Sequence, residues 1–158
     1  KLINPKKYNI GLSWRGNPKH QRDKIRSIPV ESFDKIFKKF KNFNFFVIQK
    51  NLNSEEVNFL SNFPNVINCD DYLDDFSETA MLVSKMKQII SVDTVLAHIS
   101  GSLGIPTNLL LPKIPDWRWG FSGSRTHWYP SILILRQSSI DCWDNVLKNL
   151  SSNLSKVS

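Results

Sequence analysis

The stretch 89–106 (IISVDTVLAHISGSLGIP) constrains the chain more than any other. Ile89, Ile90 and Val92 are β-formers with no charge among them, as a strand covered on both faces of a parallel sheet requires. Asp93 and Thr94 suit a helix N-terminus. Leu96, Ile99 and Leu103 then repeat at helical spacing, and Gly104 followed by Pro106 stops the helix. A strand that feeds directly into a helix aims unpaired backbone N–H groups, and the positive end of the helix dipole, at the carboxyl edge of the sheet. Open α/β sheets bind phosphorylated ligands at that edge. The turn itself carries a carboxylate (Asp93), a hydroxyl (Thr94) and, one turn on, an imidazole (His98).

The rest of the chain repeats this alternation. Residues 8–14 (YNIGLSW), 44–49 (NFFVIQ), 66–68, 107–111 and 132–135 read as further strands. Pro29 occupies a first-turn position, and Phe33, Ile36, Phe37 and Phe40 follow at amphipathic spacing. Residues 53–56 (NSEE) resemble a capping box for a short helix carrying Val57 and Leu60. Helices are also expected over 77–86 and around Trp143, Val146, Leu147 and Leu150, with the tail after Ser151 frayed. Strands alternating with helices, each connection long enough for a crossover, predict an α/β fold: a Rossmann-like parallel sheet with helices on both faces. With 158 residues and 41% apolar content, the chain can form one domain with a real core but not two.

The chain begins at Lys1 and enters a strand almost at once, so it is read as a piece of a longer protein. No transmembrane segment or signal peptide is legible. Cys69 and Cys142 belong to no metal-spacing pair and read as reduced thiols of a cytoplasmic protein. The formal charge of +7 points to an anionic partner. Lys35, Lys38, Lys39 and Lys41 fall on the outer face of a helix and are read as solvated. Arg15, Lys19, Arg22, Lys24 and Arg26, opposed only by Asp23, sit in a loop without apolar periodicity and have no structural role there.

Three loops leave strand ends with functional side chains. The loop after the first strand offers Ser13, Arg15, Asn17, Arg26 and Ser27, and its guanidinium and hydroxyl groups converge on a helix start near Pro29. That combination suits a phosphate; the alternative is a basic surface loop without a ligand. The loop after the fourth strand holds Asp93, Thr94 and His98. Either of its first two residues would serve as an N-cap worth about 1 kcal/mol, but the carboxylate and imidazole beside a dipole end favour a binding role. The third loop carries Trp117, Arg118 and Trp119 in PKIPDWRWG. Stacking on a sugar or base, and packing of the loop onto the sheet edge with Trp128, stand equal there. Asp70-Asp71 and Asp74-Asp75 lack metal-ligand spacing, so no metal site is expected. Neither GxGxxG nor GxxxxGK[ST] occurs.

SVDTVLAH (91–98) with Gly104-Ile105-Pro106 resembles the donor-binding motif of the heptosyltransferase-like glycosyltransferases of family nine. GLSWRGNP (11–18) with Arg26-Ser27-Ile28-Pro29, and PDWRW (115–119) with Trp128-Tyr129-Pro130, look more particularly like bacterial proteins in which this half follows tetratricopeptide repeats. The likeness runs from about Tyr8 to Leu150. It implies the C-terminal, donor-binding half of a two-domain GT-B enzyme that is inverting, metal-independent and without a cofactor. Its nucleotide-sugar would meet Thr94 and the backbone of Thr94 and Val95 at the diphosphate, with His98 nearby and Asp93 at the sugar or phosphate. Arg26 stands where the family often has a lysine, and Arg can hold phosphate bidentately. Gln49 or Lys50 would approach the nucleoside, and Phe76 would pack on the base.

The resemblance also implies that the catalytic base lies on an N-terminal GT-B or repeat domain absent from this chain. The chain alone is then expected to bind donor weakly and transfer nothing. A second reading is a non-catalytic nucleotide-sugar-binding module joined to an interaction scaffold. A nucleic-acid partner is disfavoured, because the basic loop lacks interleaved aromatics and no nucleic-acid motif occurs.

Overall fold

The computed structural model describes residues 3–158. Six strands form one sheet: β1 (Tyr8–Ser13), β2 (Phe43–Val47), β3 (Val66–Asn68), β4 (Gln88–Val92), β5 (Thr107–Leu111) and β6 (Ile132–Arg136). All neighbours pair in parallel, in the spatial order β3-β2-β1-β4-β5-β6. Among the described residues, α1 (Asp23–Arg26), α2 (Asp34–Lys39), α3 (Ser54–Leu60), α4 (Phe76–Val83) and α5 (Val95–Ser102) lie between strands, and α6 (Asp144–Leu154) follows β6. This is the Rossmann-like architecture expected from the alternation of elements. None of the described helices is long and apolar enough to cross a membrane.

The strands are apolar throughout because both faces are covered. Ile10, Leu12, Phe45, Val47, Ile90 and Leu110 point to one face, under Phe33, Ile36 and Phe37 and under Val146, Leu150 and Leu154 of α6. Phe46 and Ile89 point to the other, where Val83 of α4 and Leu96 of α5 close over them. Cys69 is sealed in this second layer, and burial pushes its thiol up to about 12, which keeps it inert. A third cluster, Ala97, Leu109, Leu111, Ile132, Ile134 and Trp119, extends the core under the segment after β5. That segment also covers the edge strand: the Ile134 N–H donates to the Ser124 carbonyl at 2.9 Å, and Arg125 bridges antiparallel to Leu133.

Three departures from the sequence reading have physical causes. The helix expected to start near Pro29 begins instead as a 3-10 turn, Val30–Phe33, entered from an extended Pro29, and α2 follows only from Asp34. The basic loop after β1 is not irregular to its end but closes with the helical turn α1, tied by an Arg26–Asp23 ion pair at i, i+3. The tail does not fray at Ser151. α6 runs to Leu154 because the Val146, Leu150, Leu154 stripe continues into the core, and the Lys39 ammonium bonds the hydroxyls of Ser151 and Ser155, each at 3.1 Å. Leu154→Ala is therefore expected to cost about 2–4 kcal/mol, read as a lower urea midpoint with unchanged slope. A frayed tail would show no change.

Candidate functional site

In the strand order, β1 lies next to both β2 and β4, and the chain reverses direction across the sheet at that point. The loops leaving β1 and β4 therefore go to opposite sides, and a crevice opens between their carboxyl ends. A cleft of about 1180 Å³ occupies this position. Of the residues singled out from the sequence, it brings together Ser13, Arg15, Asn17, Arg26, Gln49, Lys50, Phe76, Thr94 and Val95. Ser27, Asp93, His98, Trp117, Arg118 and Trp119 do not line it.

Thr94, in extended conformation, is the N-cap residue of α5, but its hydroxyl caps nothing and pairs instead with the Ser91 hydroxyl at 3.1 Å. The contrast with α3 and α4 is direct: Asn53 and Asp75 accept the N–H groups of Glu56 and Glu78, each at 2.8 Å. The start of α5 thus presents its first amides and its dipole to the cleft without a side-chain cap.

Arg26 supplies the adjoining charge. Its Nη1 donates to the Asp93 carbonyl at 2.7 Å, and its Nε faces the Asp23 carboxylate at 3.2 Å. One guanidinium thereby fastens α1 to the β4–α5 turn. Gly16 allows this approach, since a Cβ there would collide with the Arg26 guanidinium and Asp23. The Gly16 N–H donates to the Ser27 hydroxyl at 3.2 Å, which gives Ser27 a loop-shaping role outside the cleft.

Arg15 is held from the other side. Its Nε and Nη2 donate to the two Glu56 carboxylate oxygens at 2.8 and 2.9 Å, and Nη2 also reaches the Asn51 carbonyl at 2.7 Å. Glu56 further accepts Trp14 Nε1 at 2.9 Å and the Asn53 N–H at 3.0 Å, completing the capping box of α3. Burial alone would raise the Glu56 pKa. The hydrogen bonds from Arg15, Asn53 and Trp14, with the Arg15 charge, outweigh it and hold the carboxyl below its usual range. The sequence showed Glu56 only as a capping residue; its larger role, as the counter-ion of a guanidinium 41 positions away, leaves no local signal.

Gln49 is buried at the end of β2, where its Oε1 accepts the Ser13 hydroxyl at 2.9 Å and the Arg15 N–H at 3.3 Å. At the far end of the cleft Lys50 faces Asp74 at 3.7 Å, and Phe76 stands 70% exposed beside Leu73 and Thr79. Asp74 and Thr79 come from a segment read as an acidic loop and a helix face, and no periodicity points them to a site.

Two motif residues are turned into packing. Asp93 accepts Trp119 Nε1 at 2.8 Å and is almost fully buried. His98 bonds the Tyr129 hydroxyl through Nδ1 at 3.1 Å, and its ring stacks on Trp119 with centroids 5.2 Å apart. Of the tryptophan loop, the packing role falls to Trp119 alone, while Trp117 and Trp128, the latter expected to share it, remain exposed. Arg118 pairs with Asp116 at 3.4 Å and borders a small recess with Asp93, Arg22 and Arg26.

Strand order and cleft together define a Rossmann-like α/β domain with an open crevice at the switch point. Comparison with known proteins agrees on the fold. No family model matches the chain, and neither does any curated protein. Solved structures do. It superposes on the E. coli heptosyltransferase WaaC with ADP at TM-score 0.64 and 17% identity, over 96% of this chain and 42% of that one. E. coli ADP-heptose LPS heptosyltransferase II gives TM-score 0.63 at 12% identity, over 99% and 48%. A family 9 glycosyl transferase from Veillonella parvula DSM 2008 gives 0.56 at 12%, over 98% and 40%. The likeness is one of fold, and the chain spans less than half the length of these neighbours.

Glu56→Gln is expected to destabilise the protein by about 1–3 kcal/mol at pH 7. Because the folded pKa of Glu56 lies below its unfolded value, its contribution is complete above the ordinary carboxylate range and fades as pH falls through the folded value. Denaturation midpoints of the two proteins should therefore draw together as the pH falls below the ordinary carboxylate range. A gap that stays constant down to pH 3 would contradict this account.

Proposed function

We propose that the cleft binds the diphosphate of a nucleotide-sugar and that the chain is the donor-binding half of a glycosyltransferase. One observation carries the reading: the uncapped start of α5 and the Arg26 guanidinium face one cleft and are joined by the Arg26 bond to the Asp93 carbonyl. A diphosphate carries the charge that both are built to meet. The apolar wall of Ile48, Leu73, Leu96 and Phe76, beyond Gln49, suits the nucleoside. The heptosyltransferase neighbours include one solved with ADP, which supports the reading.

Sugar transfer leaves a nucleoside diphosphate, and negative charge grows on the β-phosphate oxygen that held the anomeric carbon as that carbon–oxygen bond breaks. Arg26 and the α5 amides would meet that charge in place, already oriented, and no metal is assigned to the step. Transfer with inversion needs a base to take the acceptor proton, and we assign it to a preceding domain. A second reading, a nucleotide-sugar-binding module without turnover, is favoured by one feature. The His98 ring is occupied by Tyr129 and Trp119 instead of facing the cleft.

A thermal-shift panel with UDP-, ADP-, GDP- and CMP-sugars tests the proposal. At a concentration of 100 Kd the cognate donor should add about 2.7 kcal/mol of stability, with or without EDTA. Arg26→Gln should weaken the donor about tenfold or more, and Gly16→Ala should do so through displacement of the same guanidinium. The absence of a shift with every nucleotide would remove the proposal.

A further inference from the structure

Asp93 is in an unusual setting for a carboxylate. It is 8% exposed and borders the small recess that Arg22, Arg26 and Arg118 also line. A nearly buried carboxylate among guanidinium groups ordinarily pairs with one of them. Among the described residues, Asp93 forms no such pair. Its Oδ1 accepts from a neutral donor instead, the indole N–H of Trp119, at 2.8 Å. Arg26 meanwhile donates to the Asp93 carbonyl at 2.7 Å, so the guanidinium lies within reach of the side chain of that same residue.

Trp119 is fixed independently of this bond. Arg136 donates to its carbonyl at 2.6 Å and to that of Gly120 at 3.0 Å. The Trp119 ring is buried and stacks on His98 of α5, whose Nδ1 bonds the Tyr129 hydroxyl. Tyr129 in turn rests on Gly101, where a Cβ would strike its ring. Packing at position 119 needs only a large apolar ring; the donor aimed at Asp93 is additional to it.

Arg26 lines both this recess and the cleft. Asp23 already balances its charge at 3.2 Å. A second carboxylate on the same guanidinium would leave the group net negative and turn away an anion in the cleft. We infer that Trp119 is a positioning residue for the anion site: its indole N–H holds the Asp93 carboxylate off Arg26 and leaves that guanidinium to a diphosphate. The diphosphate rests on the donor reading above; the placement of the carboxylate does not.

The experiment compares the parent chain with Trp119→Phe, Asp93→Asn and the double variant. A further chain carries benzothienylalanine, an indole isostere without the N–H, in place of Trp119, with and without Asp93→Asn. Each is titrated with ADP by calorimetry, and the rate at which phenylglyoxal modifies Arg26 is followed by peptide mass spectrometry. Loss of the indole donor, by either route, should weaken ADP about tenfold or more and slow modification of Arg26 about threefold or more. Asp93→Asn keeps an oxygen for the indole and removes the charge. Added to either replacement of Trp119, it should recover most of both losses, a coupling that lost packing does not produce. ADP affinity untouched by the replacements, or a loss that Asp93→Asn does not recover, would overturn the inference; the isostere decides where Trp119→Phe does not fold. If the parent binds no ADP, the donor reading falls and the Arg26 rates alone decide. Rates slowed by loss of the donor and recovered by Asp93→Asn uphold the placement of the carboxylate, and unchanged rates remove it.

Discussion

The bond from Arg26 to the Asp93 carbonyl is the point on which the site depends. β1 and β4 are neighbours in the sheet, but the segments that follow them diverge. Without a tie, the basic segment after β1 would be one more exposed loop. The guanidinium closes the gap at 2.7 Å and sets a permanent cation next to the uncapped start of α5. Asp23 orients it from behind, and Gly16 leaves the space it needs. A charge so placed needs little reorganisation when an anion arrives.

A second tie works in parallel on the other wall. Glu56 collects four donors, two from Arg15 and one each from Trp14 and Asn53, and so joins β1, the β2–α3 turn and the first turn of α3. A buried carboxylate is tolerable only when its oxygens are satisfied, and here they are. The cleft is thus framed by two arginine–carboxylate pairs rather than by loops free to drift. The tryptophan segment is anchored differently, by Arg136, which donates to the backbone carbonyls of Trp119, Gly120 and Gly123.

Much of this was legible in the sequence because it rests on local pattern. Apolar runs broken at regular intervals gave the strands, β3 and β5 to the residue. The Asp93-Thr94 break gave the turn, and the clustered arginines gave a candidate partner for it. What stayed hidden depends on pairs far apart in sequence. Glu56 could be seen to cap its own helix but not to hold Arg15. His98 and Asp93 looked free in a motif that places polar groups at a helix start, and only the fold shows Tyr129 and Trp119 reaching them. The extent of α6 was misjudged for a related reason: a serine-rich tail looks soluble until Leu154 is seen to complete a buried stripe.

The carboxylates behind the two arginines have a consequence for traffic through the cleft. The protein as a whole carries a formal charge of +7, which draws anions from a distance on the order of the screening length. Close in, Asp23 and Glu56 offset the very guanidinium groups an anion would touch. Attraction is therefore strong on approach and tempered at contact. Such a profile favours rapid exchange of an anionic ligand over long residence.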